Sequence, residues 1–476
     1  MVLELKDKKV IVAYIYVAMA FLLKLYNCDV PIFWDSIDCL SRTAHLIYNN
    51  DMRYYVIDPK FDNGDPHILP YYLAFVWSVF GKSLLVSHLA FMPFAIGSFI
   101  QMANLSKRVL GEDKCGLMAF ALGCAVMFCD TSFLSQMMLV SVDVCVVFFS
   151  LYTINKILAG SRVGLTFGFM GLIVTRRGML IAASLMVVYF LGLLLRDKKR
   201  FLSKEFISYL LPLVPTCLAV LVYVGMRMYY TGWIFTSEEN VWAGTGEAVG
   251  VVGIIKNCVV YVWQNMDFGR IVLWGVFFVC IYRVGLKRLF EKDLWYVVMM
   301  YIVLHLVFVS VTIPLSNSFG ERYFIVHFVL FSFIVCRLVS VVYIGRVREK
   351  FFGVMLLCLL GGNFTLYPET IKTNWECTLK HLTFHALRED CFEYLEEEGI
   401  PLESVSSGFS VSGRQDLIFI NDSRVVISSD KNESDYYLYS NVCNESDEMI
   451  YILREEYERV KRFDNMGVFI ELLKKR

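Results

Sequence analysis

Charge is scarce in this sequence. Only 19% of its 476 residues are Asp, Glu, Lys or Arg, against about a quarter in an ordinary soluble domain. Net charge is missing as well, because 45 basic and 45 acidic residues cancel. Bulk charge therefore gives no signal for nucleic acid, and none is expected as a partner. The 14 cysteines contain no CxxC pair and no Cys/His zinc spacing, so neither a zinc ribbon nor a dithiol motif is written in the chain. Most lie in apolar blocks, where Cys acts as a small hydrophobe. A disulfide among Cys377, Cys391 and Cys443 has little support. The first apolar segment has no small-residue cleavage site after it, so it reads as a retained helix and not a signal peptide. The polar tail carries neither a nucleotide-binding loop nor a nucleophile motif.

What the chain does have is apolar length. Hydrophobic residues make up 57% of it and aromatics 15%. They collect in repeated blocks as far as residue 361, after which the sequence turns polar. A polytopic α-helical membrane domain over 1–367 is expected, followed by a soluble α+β domain over 368–476. Blocks of spanning character lie at 10–26, 84–105, 115–129, 132–157, 163–174, 178–195, 206–228, 268–282, 294–313, 323–342 and 351–367. That is about eleven transmembrane helices.

The loops supply an orientation. "LKDKK", "SKRVLGEDK", "RDKKRFLSK", "YRVGLKRLFEKD" and "GRVREK" all fall on one side of this threading. Basic loops stay in the cytoplasm, so the N-terminus is expected inside and the tail outside. The other side holds the acidic loop 28–70, "FTSEENVWAGTGEAVG" and "PLSNSFGER". In loop 28–70, Ile37, Leu40, Ala44 and Ile47 recur at helical spacing. They predict a short amphipathic surface helix with Asp35 as its N-terminal cap. "HILPYYLAFVWSVFG" reads as a second interfacial helix. In the tail, "LREDCFEYLEEEGI" reads as a helix ended by Gly399. "DLIFIN", "RVVISS", "DYYLYSNV" and "GVFIEL" read as strands.

Ionisable groups near the membrane are candidates for function. Asp35, Asp38, Asp143, Arg176, Arg177, Glu321 and Arg322 all fall on the external half. Arginines hold phosphate through forked hydrogen bonds. A carboxylate removes the proton from an acceptor hydroxyl. Each residue also has a plain structural reading. Asp35 caps a helix; Asp38 is solvated; Asp143 pairs for packing; Arg176 and Arg177 snorkel; Glu321 and Arg322 form a surface pair. His67 and His327 read as structural, since no second ligand lies at helical spacing. The letters of "DFGR" at 267–270 match a kinase triplet without kinase context.

Four pieces in order resemble a known family. They are "FWDSIDCLSRTAHLIYNND", "FDNGDPHILPYYLAFVWSVFGKSLLVSHLAFMPFAIG", "SFLSQMMLVSVDVCVVFFSLY" and "GERYFIVHFVL". The chain resembles the GT-C membrane glycosyltransferases over about residues 10–345, in the branch of protein O-mannosyltransferases and lipid A aminoarabinose transferases. The resemblance implies a polyprenyl-phosphate sugar donor and inverting transfer outside the membrane. It implies that Asp35 is the catalytic acid of the first loop and Asp143 a second acid near the site. Asp65 stands where that branch carries a charged or His residue before a Pro, with His67 close by as a further substrate-binding candidate, and Arg176, Arg177 and Arg322 are the expected phosphate holders, with Glu321 beside them. Two departures are visible. The usual Asp-Glu reads Asp35-Ser36, which leaves Asp35 and Asp38 as alternatives for the base. The usual Lys-Pro-Pro reads Asp65-Pro66-His67, which moves the cationic role to Arg176 and Arg177. A divalent metal is left open.

The leading expectation is thus a glycosyltransferase of a bacterial inner membrane, with a glycan, lipid or protein as acceptor. The alternative is a flippase for lipid-linked sugars. Transporters carry repeats and mid-membrane sites, whereas here no internal repeat is clear and the polar residues crowd one side. A membrane-anchored scaffold, the third class, leaves the external acids and arginines without a purpose.

Overall fold

The computed structural model describes residues 5–53, 58–110, 115–234, 237–240, 243–291, 294–316 and 320–476. Parts of the loops read above, at 54–57, 111–114, 235–236, 241–242, 292–293 and 317–319, lie outside the described residues.

The chain begins with α1 (Leu5–Tyr26). Its first loop then coils into a π-helical turn at Ile37–Arg42 that runs on into α2 (Thr43–Asn49). As the spacing predicts, Ile37, Leu40, Ala44 and Ile47 are all buried. They pack on the second interfacial helix, α3 (Ile68–Phe80), and on tail residues Leu417 and Ile418. A long helix, α4 (Leu84–Leu110), follows.

Next come α5 (Leu117–Phe128), α6 (Thr131–Met138) and α7 (Val142–Ala159). The expected single span at 132–157 is therefore two helices. Asp130 accepts a hydrogen bond from Phe133 N and starts α6; Leu139 and Ser141 are extended, and Ser141 caps α7 by accepting from Asp143 N. Asp and Ser favour such starts because their side chains satisfy free backbone N–H groups. Helices α5 and α6 are bent by 64° to each other.

The remaining membrane helices are α8 (Arg162–Leu172), α9 (Arg176–Leu191), α10 (Lys204–Leu210), α11 (Val214–Tyr230), α12 (Val251–Met266), α13 (Ile271–Val284), α14 (Trp295–Thr312), α15 (Ile325–Val342) and α16 (Gly345–Gly361). Every apolar block contains helix, though 132–157 is broken at 139–141 and 351–367 runs past its helix end. Among the described residues seven helices are long and apolar enough to cross a membrane, or eight if the bent pair is one span. Helices α8, α13 and α16 are shorter, at 11, 14 and 17 residues. Helix α12 was not expected; Lys256, Asn257, Gln264 and Asn265 interrupt its apolar run.

Burial orders the bundle. The span Glu321–Val342 is 83% buried, whereas Lys204–Tyr230 is 17% buried. A helix apolar on all sides and enclosed on all sides is a core helix, so α15 is the axis and α11 faces lipid. Helix α8 lies close on α7 through Gly164, Gly168 and Gly171. A Cβ on Gly168 would stand 2.4 Å from Thr153 Oγ1. Small residues let membrane helices approach in this way. Gly168→Leu is expected to lower stability by ~1–3 kcal/mol, the usual cost of overpacking, read as a lower unfolding temperature in detergent.

The two ends differ in charge. At one end Lys9 lies over Phe120, Arg196 over Tyr296 and Arg283 over Tyr343, and Arg108 donates to Leu158 O. The basic turns thus meet at one end, and Asp35, Asp143, Arg177 and Arg322 lie at the other.

The tail is α+β as expected. Helix α17 (Lys380–Glu397) covers a four-stranded sheet built from β1 (Val405–Ser407), β4 (Tyr436–Ser440), β6 (Val468–Lys475) and β5 (Tyr457–Asn465), in that order. Strands β1 and β4 are parallel; the other pairs are antiparallel. A small pair, β2 (Gly413–Arg414) and β3 (Val426–Ile427), stands apart. "RVVISS" keeps only β3 as strand, and "DLIFIN" is the short helix α18 (Gln415–Phe419). Its apolar residues face the first loop instead of the sheet: Leu417 O accepts from Ser41 Oγ at 2.6 Å and Ile418 O from Ile32 N at 2.9 Å. Helix α19 (Asp447–Glu456) precedes β5. All 14 cysteines are free thiols.

Candidate active site

The site forms where four segments meet at the acidic end. Asp35 comes from the first loop, directly after Trp34. Trp34 has φ +54, a region that costs a bulky residue about 1–3 kcal/mol. It is held there between the Phe33 and Phe409 rings. Asp35 is not a helix cap. The π-helical turn has Ser36 at its cap position with no side-chain bond, and the Asp35 carboxylate instead pairs with Arg322. π-helical turns recur at functional sites.

Arg322 stands on the turn Glu321–Phe324 that leads into α15. Its guanidinium is a hub. Beyond Asp35, its Nε lies 3.8 Å from Asp143 and 3.6 Å from Glu376. Asp143 was expected partway down a span; the chain break before Ser141 puts it in the first turn of α7. There it binds Arg177, 2.7 Å away on the first turn of α9. Thr175 starts that helix by accepting from Gly178 N. Arg177 lies over the Tyr323 ring, 4.2 Å from its centre. Asp143, Arg177, Arg322 and Tyr323 enclose a cavity of about 10 Å³, roughly room for one water.

The other expected residues take flanking positions. Asp65 accepts from Arg176 N at 2.7 Å and lies 3.7 Å from its guanidinium. Burial, then Asp35 and Asp65, push the Cys39 thiol up to about 12, so this thiol stays protonated. His67 Nε2 lies 3.9 Å from Asp62. Asp38 turns to Arg42 on its own helix, with bonds of 2.9 and 2.7 Å; no bond joins it to the Arg322 hub among the described residues. Glu321 accepts from Asn374 of the tail.

Several site residues escaped the sequence. Asp62 receives both arms of Arg227 at 3.2 and 2.9 Å, which pins the first loop to α11. Burial opposes its ionisation, yet His67, Arg227 and Gly64 N–H hold its carboxyl below the usual range. Arg270 of the "DFGR" stretch is buried and forked onto Asp130 at 2.8 and 3.1 Å. Glu376 lies in the tail, 2% exposed. Burial is the main force raising its pKa to about 7; Asp35 and Asp143 add to it and Arg322 opposes.

An apolar groove of about 720 Å³ opens between α12, α13 and the segment 365–367, lined by Val262, Trp263, Met266, Phe268 and Tyr367. At its edge Tyr367 donates to Asp267 at 2.5 Å. Among the described residues no three His, Cys, Asp or Glu side chains are grouped to hold a metal ion. The carboxylates of the hub face arginines, a donor set that suits an anion exchanging for a carboxylate.

No protein-family model matches the chain, and no curated protein matches it by sequence. Solved structures do. The chain is similar to ArnT from Cupriavidus metallidurans bound to undecaprenyl phosphate, with a TM-score of 0.54 and 11% identity over 96% of this chain and 97% of that one. It is also similar to ArnT from the same organism in the apo state, with a TM-score of 0.50, 10% identity and the same coverage. Identity that low speaks for fold and leaves residues and chemistry aside. The chain is an integral membrane protein by its apolar helices, with the fold of these ArnT structures along nearly its whole length, the GT-C architecture that the order of its four motif-bearing pieces led one to expect.

Proposed function

We propose that this protein is a glycosyltransferase that moves a sugar from a polyprenyl-phosphate donor to an acceptor hydroxyl at the acidic end of the bundle. The observation that carries the reading is the pairing of Asp35 with Arg322, next to Asp143 and Arg177, at one end of a membrane bundle. A base and two phosphate-binding arginines stand side by side. The solved structure of similar fold was bound to undecaprenyl phosphate, a lipid of the class proposed here.

In the reaction, Arg322 and Arg177 hold the donor phosphate through charge-assisted hydrogen bonds. Asp35, released from Arg322 as the phosphate arrives, takes the proton of the acceptor hydroxyl. The hydroxyl oxygen bonds to the anomeric carbon, and the bond from that carbon to the phosphate oxygen breaks. The electron pair stays on the polyprenyl phosphate, held by the arginines. One displacement inverts the sugar carbon. Asp143 keeps Arg177 aimed, Asp65 and Arg176 wall the sugar side with His67 and Glu321 at the rim, and Asp38 steadies its helix through Arg42. The apolar groove beside Trp263 and Tyr367 takes part of the isoprenoid chain.

In this reading the N-terminus is cytoplasmic and the tail lies outside, in the periplasm of a bacterial inner membrane, as the rule that basic loops stay inside favours. The acceptor is a glycan, a lipid or a protein. A test supplies membranes with polyprenyl-phosphate sugars of known anomeric configuration and examines the product by NMR. Transfer with the opposite configuration is expected. Retention would replace the single displacement by a covalent intermediate.

A further inference from the structure

Glu376 belongs to the tail, where the sequence shows no catalytic motif, yet it lies against the hub. Its backbone is clamped to α6: the Glu376 carbonyl accepts from Ser135 Oγ at 2.8 Å and from Gln136 Nε2 at 3.0 Å. The single Ser135 Oγ–H is shared with Thr378 O, 2.9 Å away. Two residues upstream, Asn374 donates to Glu321 at the mouth of α15. The turn Trp375–Cys377 is thereby wedged between α6 and the Arg322 turn. One Glu376 oxygen faces Arg322 Nε at 3.6 Å. The other, Oε2, is buried without a hydrogen-bond partner, and so is Arg322 Nε.

A buried oxygen left unpaired is costly, and the three carboxylates Asp35, Asp143 and Glu376 face only two guanidiniums, Arg322 and Arg177, one negative charge more than these can balance. An arriving phosphate adds another negative charge. The groups facing Glu376 are Arg322 on its turn, Asp35 in the first loop, Asp143 on α7, Glu321 beside Arg322 and its own neighbour Cys377. Among these Glu376 is an acid that faces Arg322 from the tail and keeps one oxygen unpaired.

We propose that Glu376 is a positioning residue for the donor site: it shares Arg322 with the anionic headgroup, and it takes up one proton when that headgroup binds. The inference rests on Arg322 as the headgroup holder. Protonated, Glu376 is neutral, its O–H reaches a phosphate oxygen, and the field of Arg322 falls on the headgroup. Ionised, it places like charge beside the phosphate. The proton comes from solvent and returns to it on release. Burial, with Asp35 and Asp143, sets the Glu376 midpoint at about 7, so the exchange falls at neutral pH. This is how the tail enters the account: it delivers a proton-bearing acid to a site otherwise built from the membrane domain.

The test measures binding of polyprenyl phosphate without sugar to the full-length purified protein across neutral pH, for wild type and Glu376→Gln. The probe phosphate has its own ionisation near pH 6, and the Gln variant keeps it together with the other titrating groups of the site, so the ratio isolates Glu376. The ratio of wild-type to Gln affinity is expected near unity in acid and to fall about tenfold per pH unit above the Glu376 midpoint. A ratio that does not change with pH overturns the inference. Calorimetry of both proteins in buffers of differing ionisation enthalpy gives a second readout. Greater proton uptake by wild type than by Glu376→Gln near neutrality supports the proposal; equal or smaller uptake overturns it. Should wild type fail to bind the probe at any pH, the headgroup reading of Arg322 falls first and takes this inference with it; binding with a flat ratio removes the inference alone.

Discussion

Asp35→Asn is expected to lower transfer by about a hundred- to ten-thousand-fold, the range for loss of a general base. Donor binding should survive the change. Asn keeps the shape of Asp, and removing the Asp35 charge frees Arg322 for the headgroup, so the apparent Kd should hold or improve while kcat collapses. A helix-capping role predicts the reverse, a loss of folding with little change in chemistry. In the structure the Asp35 carboxylate pairs with Arg322 and makes no cap. Asp38→Asn is the matched control. Its carboxylate is tied to Arg42, an ion pair at 19% and 26% exposure that carries ~0.2–1 kcal/mol at most. Transfer by this variant should stay close to wild type. Turnover and lipid binding, measured on the same preparations, check both statements.

Arg322→Ala should act through binding. Hydrogen bonds to charged groups contribute ~1.5–3 kcal/mol each, so loss of even one of them weakens donor binding about ten- to a hundredfold. The variant also leaves Asp35, Asp143 and Glu376 facing one another without their shared cation, and its unfolding temperature should drop. Arg322→Lys separates the two effects. It restores a positive charge and thus much of the stability, but a point charge cannot fork onto phosphate. Stability near wild type with weak donor binding is the expected pattern. Full binding by Arg322→Lys would move the phosphate site to Arg177 and Arg176.

Much of this arrangement is legible in the sequence, for reasons that can be named. Spanning helices announce themselves by apolar length, and the spacing of Ile37, Leu40, Ala44 and Ile47 fixed the buried face of the loop helix. Basic turns mark one end because several of them repeat the signal. Asp35, Asp143, Arg177 and Arg322 stand out because charge beside an apolar run is conspicuous. What stayed hidden depends on partners far along the chain. The break at 139–141 looks apolar in "MLVSV" and is set by the caps at Asp130 and Ser141. "DLIFIN" has strand composition, but Leu417 and Ile418 are buried in a cluster with Ile37, Leu40 and Leu73, and that contact selects a helix. Glu376 sits in a polar segment where acids are common, and only the clamp from Ser135 and Gln136 distinguishes it.

A transferase breaks the sugar–phosphate bond, whereas a flippase carries the lipid intact. The direct measurement follows both halves of a doubly labelled polyprenyl-phosphate sugar in sealed proteoliposomes with acceptor present. The sugar label is expected to pass to the acceptor, and free polyprenyl phosphate to accumulate in step with it. An intact donor that crosses the bilayer, its two labels still together, would rule out the transferase and make the protein a flippase.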